Sequence, residues 1–228
     1  MGHLTIPLRG LTDTEPTAIE IPGGPVTLGG DLTMPVEATG VVVFAHGSGS
    51  SRHSPRNQAV AGYLVERGFA TLLLDLLTPN EEFEDKRTRA LRFDIPLLAR
   101  RVGFAVEHVA RQGETAGRPI ALFGASTGAS AALVAAAECP DDVAAVVSRG
   151  GRPDLAGDAL ERVRAATLLI VGGEDDEVRR LNQQALERLA CTTELKVIPG
   201  ATHLFEEPGA LEEVARLAGD WFDRHLAR

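Results

Sequence analysis

Six short runs of uninterrupted apolar residues, each followed by a glycine- or aspartate-bearing turn and then an amphipathic stretch, constrain this chain more than any other feature. The runs lie at 41–45, 70–74, 119–123, 143–147, 167–171 and 195–198. Continuous apolar runs, unlike alternating ones, suit parallel strands covered on both faces. Helical periodicity falls between them at 57–67, 94–111, 127–138, 178–189 and 210–225, the alternation expected of βαβ units. Ahead of the first run, 17–21 and 26–34 are separated by Pro22, Gly23, Gly24 and Pro25, which predicts a hairpin at the sheet edge. The expected fold is therefore α/β and doubly wound, with a mostly parallel sheet and an antiparallel N-terminal hairpin at its edge.

With 228 residues and only short breaks between elements, the reading is one domain over 1–228. Residues 1–36 supply edge strands and 40–225 the core. A chain this long buries roughly 70 to 75% of its unfolded surface and needs no staples. Cys139 and Cys191 are far apart and lack metal-site spacing, so they are expected to be small buried hydrophobes. Against 23 basic residues stand 32 acidic ones, a net charge of −9, which argues against nucleic acid as a partner. The basic stretch 86–101 is interleaved with acidic residues and is expected to be a solvated helix face. No apolar run approaches the ~20 residues of a membrane span, and MGHLTIPLRG lacks the basic and apolar regions of a secretory leader. A cytoplasmic protein that meets neither membrane nor nucleic acid is the expectation, with a homodimer left open.

In a parallel sheet, chemistry belongs at the carboxyl ends of the strands. Directly after the run 119–123 comes Gly124-Ala125-Ser126-Thr127-Gly128, opening an alanine-rich helix. This is a G-x-S-x-G elbow in the strand-turn-helix context the motif requires. Its glycines are needed because the turn is too crowded for side chains, and its serine is expected to be strained with Oγ exposed. The simpler alternative is a serine that merely caps the helix. Although the chain has 24 glycines, composition alone yields the pattern well under once per chain.

A serine hydroxyl needs a base, and the base an orienting group. Of six histidines, His108 lies inside a helical pattern, His225 near the end, His3 before the sheet, and His46 and His53 after the first run. Only His203 falls between the last strand and the last helix, on the serine's side of the sheet. It is the expected base. The acid should lie between the two in chain order, where Glu174, Asp175, Asp176 and Glu177 follow Gly172-Gly173. Local sequence does not rank these four, and acidic residues there also suit the start of a helix. The amide of Thr127, after the nucleophile, is one expected oxyanion donor, and the loop 46–51 should supply the second.

The ordered set of Gly124 to Gly128, Gly173-Glu174-Asp175 and Gly200-Ala201-Thr202-His203, preceded by His46-Gly47-Ser48-Gly49-Ser50, resembles the α/β-hydrolase superfamily, and within it the small dienelactone-hydrolase-like branch without a lid domain. The resemblance covers about residues 40 to 225 and implies a serine esterase. It implies Asp175 as the acid, two positions past the glycine with apolar Val178 three further on, and the Ser48 amide as the second oxyanion donor. His46 is implied to orient the loop. Dienelactone hydrolases proper carry cysteine at the elbow, whereas this chain has Ser126, which favours a general esterase over the eponymous reaction.

The expected activity is hydrolysis of small carboxylic esters through an acyl-enzyme on Ser126, with neither metal nor organic cofactor implied. Lactone hydrolysis, or acyl transfer to an alcohol or peroxide, would use the same triad; a non-catalytic binding protein on this scaffold usually lacks a triad member. With eight Phe, one Tyr and one Trp, an aromatic-lined trough is not expected, and the short segment before the run 167–171 leaves no room for a lid. Arg52 and Arg149 are candidates to meet an anionic substrate group, weighed against ordinary ion pairing with the many carboxylates.

Overall fold

The computed structural model describes residues 15–226; the MGHLTIPLRG stretch, His3 and the first fourteen residues of the expected N-terminal edge region lie outside them. Eight strands form one sheet in the order β1-β2-β4-β3-β5-β6-β7-β8. They are β1 (Thr17–Gly23), β2 (Val26–Thr33), β3 (Val41–Ala45), β4 (Ala70–Leu74), β5 (Ile120–Ala125), β6 (Val143–Arg149), β7 (Ala166–Gly172) and β8 (Thr193–Ile198). β1 and β2 pair antiparallel, β2 runs antiparallel to β4, and every other pairing is parallel. This is the architecture of an α/β-hydrolase.

The uninterrupted apolar runs become legible once the pleat separates them. Val41, Val43 and Ala45 face one layer while Val42 and Phe44 face the other, as side chains of period two must. The first layer is covered by α3 (Ile95–Arg111), α4 (Thr127–Glu138) and α5 (Asp176–Arg188), the second by α1 (Pro55–Glu66) and α6 (Ala210–Leu226). α1 starts at Pro55 because Ser54 accepts the Asn57 amide, and proline fits the first helical position. Among the described residues no helix is long and apolar enough to cross a membrane.

Two expectations change. Pro22 pairs with Thr27 and Gly23 with Val26, so the hairpin turn is only Gly24-Pro25, with Gly24 at φ 71°; proline is tolerated in β1 because that strand is the sheet edge. The stretch 86–101 is not one solvated helix face. It spans the end of a further helix, α2 (Pro79–Thr88), a left-handed Arg89, a short 3-10 turn and the start of α3. α2 is opened by a full capping box from Thr78 and Glu81. Asp85 and Arg101 are buried, and they pair with Arg92 at 2.6 Å and Glu81 at 2.8 Å. Cys139 and Cys191 are both partly buried and unbridged.

Candidate active site

β5 delivers the chain to Ser126 and α4 carries it away, so the serine is the single residue between strand and helix. Its backbone is at φ 52°, ψ −121°, a region that side chains other than glycine seldom occupy. The surroundings enforce this. A Cβ on Gly124 would meet the Ala129 amide nitrogen at 2.7 Å, and one on Gly128 the Ala45 carbonyl carbon at 2.7 Å, so the elbow closes only with glycine on both sides. The Ser126 amide donates to the Arg149 carbonyl at 3.2 Å, and its own carbonyl accepts from Ala129 and Arg152 at 3.1 and 3.2 Å. The hydroxyl makes no cap bond to the helix, which removes the capping role. Half-buried, Ser126 lines a cavity of about 250 Å³.

His203 lines the same cavity. It stands on the loop between β8 and α6, and its ring lies over Gly150, whose φ of 52° needs no side chain there. Nδ1 is 2.6 Å from Asp175 Oδ2. Asp175 sits at the start of α5 but does not cap it with its side chain. Its loop is tied to the histidine's by the Glu174 amide donating to the Ala201 carbonyl at 3.0 Å. Of the other carboxylates in the run, Asp176 pairs with Arg179, while Glu174 and Glu177 are exposed; none contacts a histidine among the described residues. The structure thus brings Ser126 and His203 to one cavity and places Asp175 on Nδ1 of the imidazole.

The loop after β3 passes directly beside the serine: a Cβ on Gly47 would lie 3.1 Å from Ser126 Cβ. A turn closes it, Ser50 donating to the Gly47 carbonyl at 3.2 Å. Among the described residues neither the Ser48 amide nor the Thr127 amide donates to a protein acceptor, and Thr127 is the first residue of α4, at its positive end. His46 fixes this loop. Its Nε2 accepts the Leu76 amide at 3.1 Å, so in the neutral ring the proton is on Nδ1, which lies 2.9 Å from the Gly47 carbonyl. Burial pushes its pKa down, against weaker opposing contributions from the Gly47 bond and Asp75.

The two candidate arginines part company. Arg52 pairs with Asp75 and, at 3.2 Å, with Asp31, an ordinary structural network. Arg149 has no carboxylate partner among the described residues; its Nη2 reaches only Asn57 Oδ1 at a long 3.4 Å, and buried Nε and Nη1 have no acceptor. Burial, with Arg56 nearby, pushes its pKa down to about 10. Ser54, Arg56 and Asn57, from the start of α1, join Arg149 in lining the cavity. No local motif announces them. The only hint in sequence is a polar asparagine at a position where the helix turns inward, and Asn57 is indeed buried. A second cavity of about 280 Å³ lies across Gly47 and Ser48, bordered by His46, Leu76, Asp85, Arg92 and Thr127.

A sequence model of the dienelactone hydrolase family matches residues 28–226. The chain is 56% identical to a crystallised dienelactone hydrolase from Anabaena variabilis, covering 93% of this chain and 98% of that one with a TM-score of 0.92. Est1E from Butyrivibrio proteoclasticus shares the fold at 18% identity, with a TM-score of 0.75 over 91% of this chain and 98% of its own. A Mycobacterium tuberculosis protein provisionally named phosphoribosyl transferase is 59% identical over 208 residues, 91% of this chain. That match spans only 46% of the tuberculosis protein, so the chain covers about half the length of the curated relatives it matches.

Proposed function

The chain belongs to the dienelactone hydrolase family, and from that premise we propose that it hydrolyses small carboxylic esters through an acyl-enzyme on Ser126. The observation that carries this reading is the imidazole of His203, held by Asp175 at 2.6 Å and facing a cavity it shares with the serine. A carboxylate on Nδ1 fixes the tautomer in which Nε2 is free to accept the serine's proton, and it steadies the imidazolium that results.

Ser126 Oγ attacks the ester carbonyl carbon while His203 takes the hydroxyl proton. The carbonyl oxygen becomes an oxyanion, for which the Ser48 and Thr127 amides are the unengaged donors; each such donor is commonly worth about 3 to 4 kcal/mol in the barrier. As the tetrahedral carbon collapses, its bond to the alcohol oxygen breaks and His203 returns the proton to that oxygen. Water then attacks the acyl-serine, giving its proton to the same histidine, and the acid departs as Ser126 regains its hydrogen. A lactone follows the same steps, its alcohol remaining attached to the acid, and the name of the 56%-identical relative favours keeping that substrate class in any screen.

A fluorophosphonate probe should add its mass to Ser126, and Ser126→Ala should lose both the label and turnover of p-nitrophenyl acetate. Labelling of another residue, or turnover surviving in the variant, would overturn the assignment.

A further inference from the structure

We propose that Asn182, which lines neither cavity, is a positioning residue for Ser126 and His203, because it holds the segment 149–152 against which both are set. The inference deepens the ester-hydrolase reading and rests on it.

The segment grips the elbow from two sides. The Arg149 carbonyl accepts the Ser126 amide, and the Arg152 amide donates to the Ser126 carbonyl, each at 3.2 Å. The same segment bears on the histidine. A Cβ on Gly150 would come within 3.2 Å of the His203 carbonyl oxygen and 3.6 Å of its Cε1. The buried Arg149 guanidinium lies 6.0 Å from the centroid of the Phe205 ring, a cation facing an aromatic face. Phe205, at φ 55°, donates its amide to the Thr202 carbonyl at 3.3 Å and so closes the turn that presents His203. Any displacement of 149–152 is therefore felt by nucleophile and base together.

Helix side chains fix the segment in turn. The Arg152 carbonyl accepts from Ser130 of α4 and from the Leu155 amide. Gly151 is buried, and the donor to its carbonyl is Asn182 Nδ2 at 2.9 Å. The other Nδ2 hydrogen goes to the Val178 carbonyl at 2.8 Å, one turn back on α5, so two carbonyls set the amide's orientation. Asn182 is fully buried and stands two turns along α5 from Asp175, on the same side of the helix. One amide thus ties the helix that begins at the acid to the segment that holds the serine. There is little slack in the tie, since a Cβ on Gly151 would meet Ala129 Cβ at 2.7 Å.

Asn182→Leu tests the role. It removes a buried oxygen, Oδ1, that has no partner and leaves the Gly151 carbonyl without its donor, so the two changes offset in stability while the segment is released. With p-nitrophenyl acetate, kcat should fall by about 10- to 100-fold, the loss expected when reacting groups shift by about 1 Å, with KM within about twofold of wild type. Fluorophosphonate labelling of Ser126 should slow in proportion, and the urea midpoint should stay near that of wild type. A folded Asn182→Leu with kcat within about twofold of wild type, or with its loss in KM instead, would overturn the inference. If Asn182→Leu does not fold, Asn182→Ser decides on the same criteria, because a helical serine bonds back to the Val178 carbonyl and abandons Gly151. Should wild type turn over no ester and Ser126 go unlabelled, the esterase reading has failed on its own. The NMR resonance of the His203 Cε1 proton, beside Gly150, then still decides: a changed shift and titration midpoint in the Asn182 variants supports the positioning role, and an unchanged resonance removes it.

Discussion

Ser126 and Asp175 illustrate two ways in which a single residue is put to use. At Ser126 the backbone is forced into a strained conformation by close approach of α4 to β3 and β5, so the hydroxyl is turned away from the helix it would otherwise cap. At Asp175 the helix start is likewise forgone as a capping site, and the carboxylate goes to His203. Position in the sequence singles out Ser126 and His203 because each follows a strand at the same rim of the sheet, and the structure sets both on one cavity. Position was not enough to rank Glu174 to Glu177, since four consecutive carboxylates differ only in the direction the chain turns after Gly172, and that depends on the packing of the β7 loop against Ala201 and Thr202. The ranking can be measured. Asp175→Asn should lower kcat by about 10⁴-fold, the loss typical when an orienting carboxylate is replaced and the tautomer is no longer fixed. Asp176→Asn, at an exposed position that touches only Arg179, should change it less than about twofold. Steady-state kinetics on the pair decides, and a larger loss at 176 would reassign the acid.

At the scale of elements, the unexpected piece is the segment from α2 through the turn at Leu91–Phe93 to α3. Charged composition made it read as a solvated face, yet Asp85 is 2% exposed and accepts the Leu91 and Arg92 amides at 2.8 and 3.0 Å as well as the Arg92 guanidinium. Composition cannot separate a buried charge with three donors from an exposed one, because both are simply acidic residues in a polar run. Burial alone would raise the Asp85 pKa, but those donors outweigh it and hold the carboxyl below the ordinary range. Asp85→Ala leaves the Arg92 head group and two amides unanswered and should cost about 3 kcal/mol, read by urea denaturation. His46 couples two elements in a different manner, joining the loop after β3 to the end of β4 through the Leu76 amide. Its pKa is lowered in the fold from about 6.5, so below that value the unfolded chain takes up a proton that the native protein refuses. Stability from this group is complete above about pH 6.5 and is lost as pH falls below it, by up to roughly 1.4 kcal/mol per pH unit. His46→Gln, which can keep an acceptor for Leu76 without titrating, should flatten that part of the stability curve; an unchanged slope would place its origin elsewhere.

Seen as a whole, the molecule has the cavity shared by Ser126 and His203 at the carboxyl ends of its parallel strands. The connection from β6 to β7 holds only a short 3-10 segment at Pro153–Arg162, which packs beside α4 and α5 rather than over Ser126. This much was legible, since connection length is printed in the sequence and a lid cannot be built from so few residues. The cavity shapes were not, because they depend on how α1 and the loop after β3 meet across the sheet. Their consequence is a limit on acyl length. Each buried methylene contributes about 0.8 kcal/mol, close to a fourfold gain in kcat/KM while space remains. The second cavity, about 280 Å³ and bordered by Asp85 and Arg92 as well as Leu76, gives a short alkyl chain somewhere to go and a longer one only water or charge. Across p-nitrophenyl esters from acetate to dodecanoate, kcat/KM should therefore rise over the first few carbons and then level off or fall, with octanoate no better than butyrate. A continued climb to dodecanoate would mean that an apolar trough forms when substrate binds, and that the acyl group lies along a surface other than the one beyond Gly47 and Ser48.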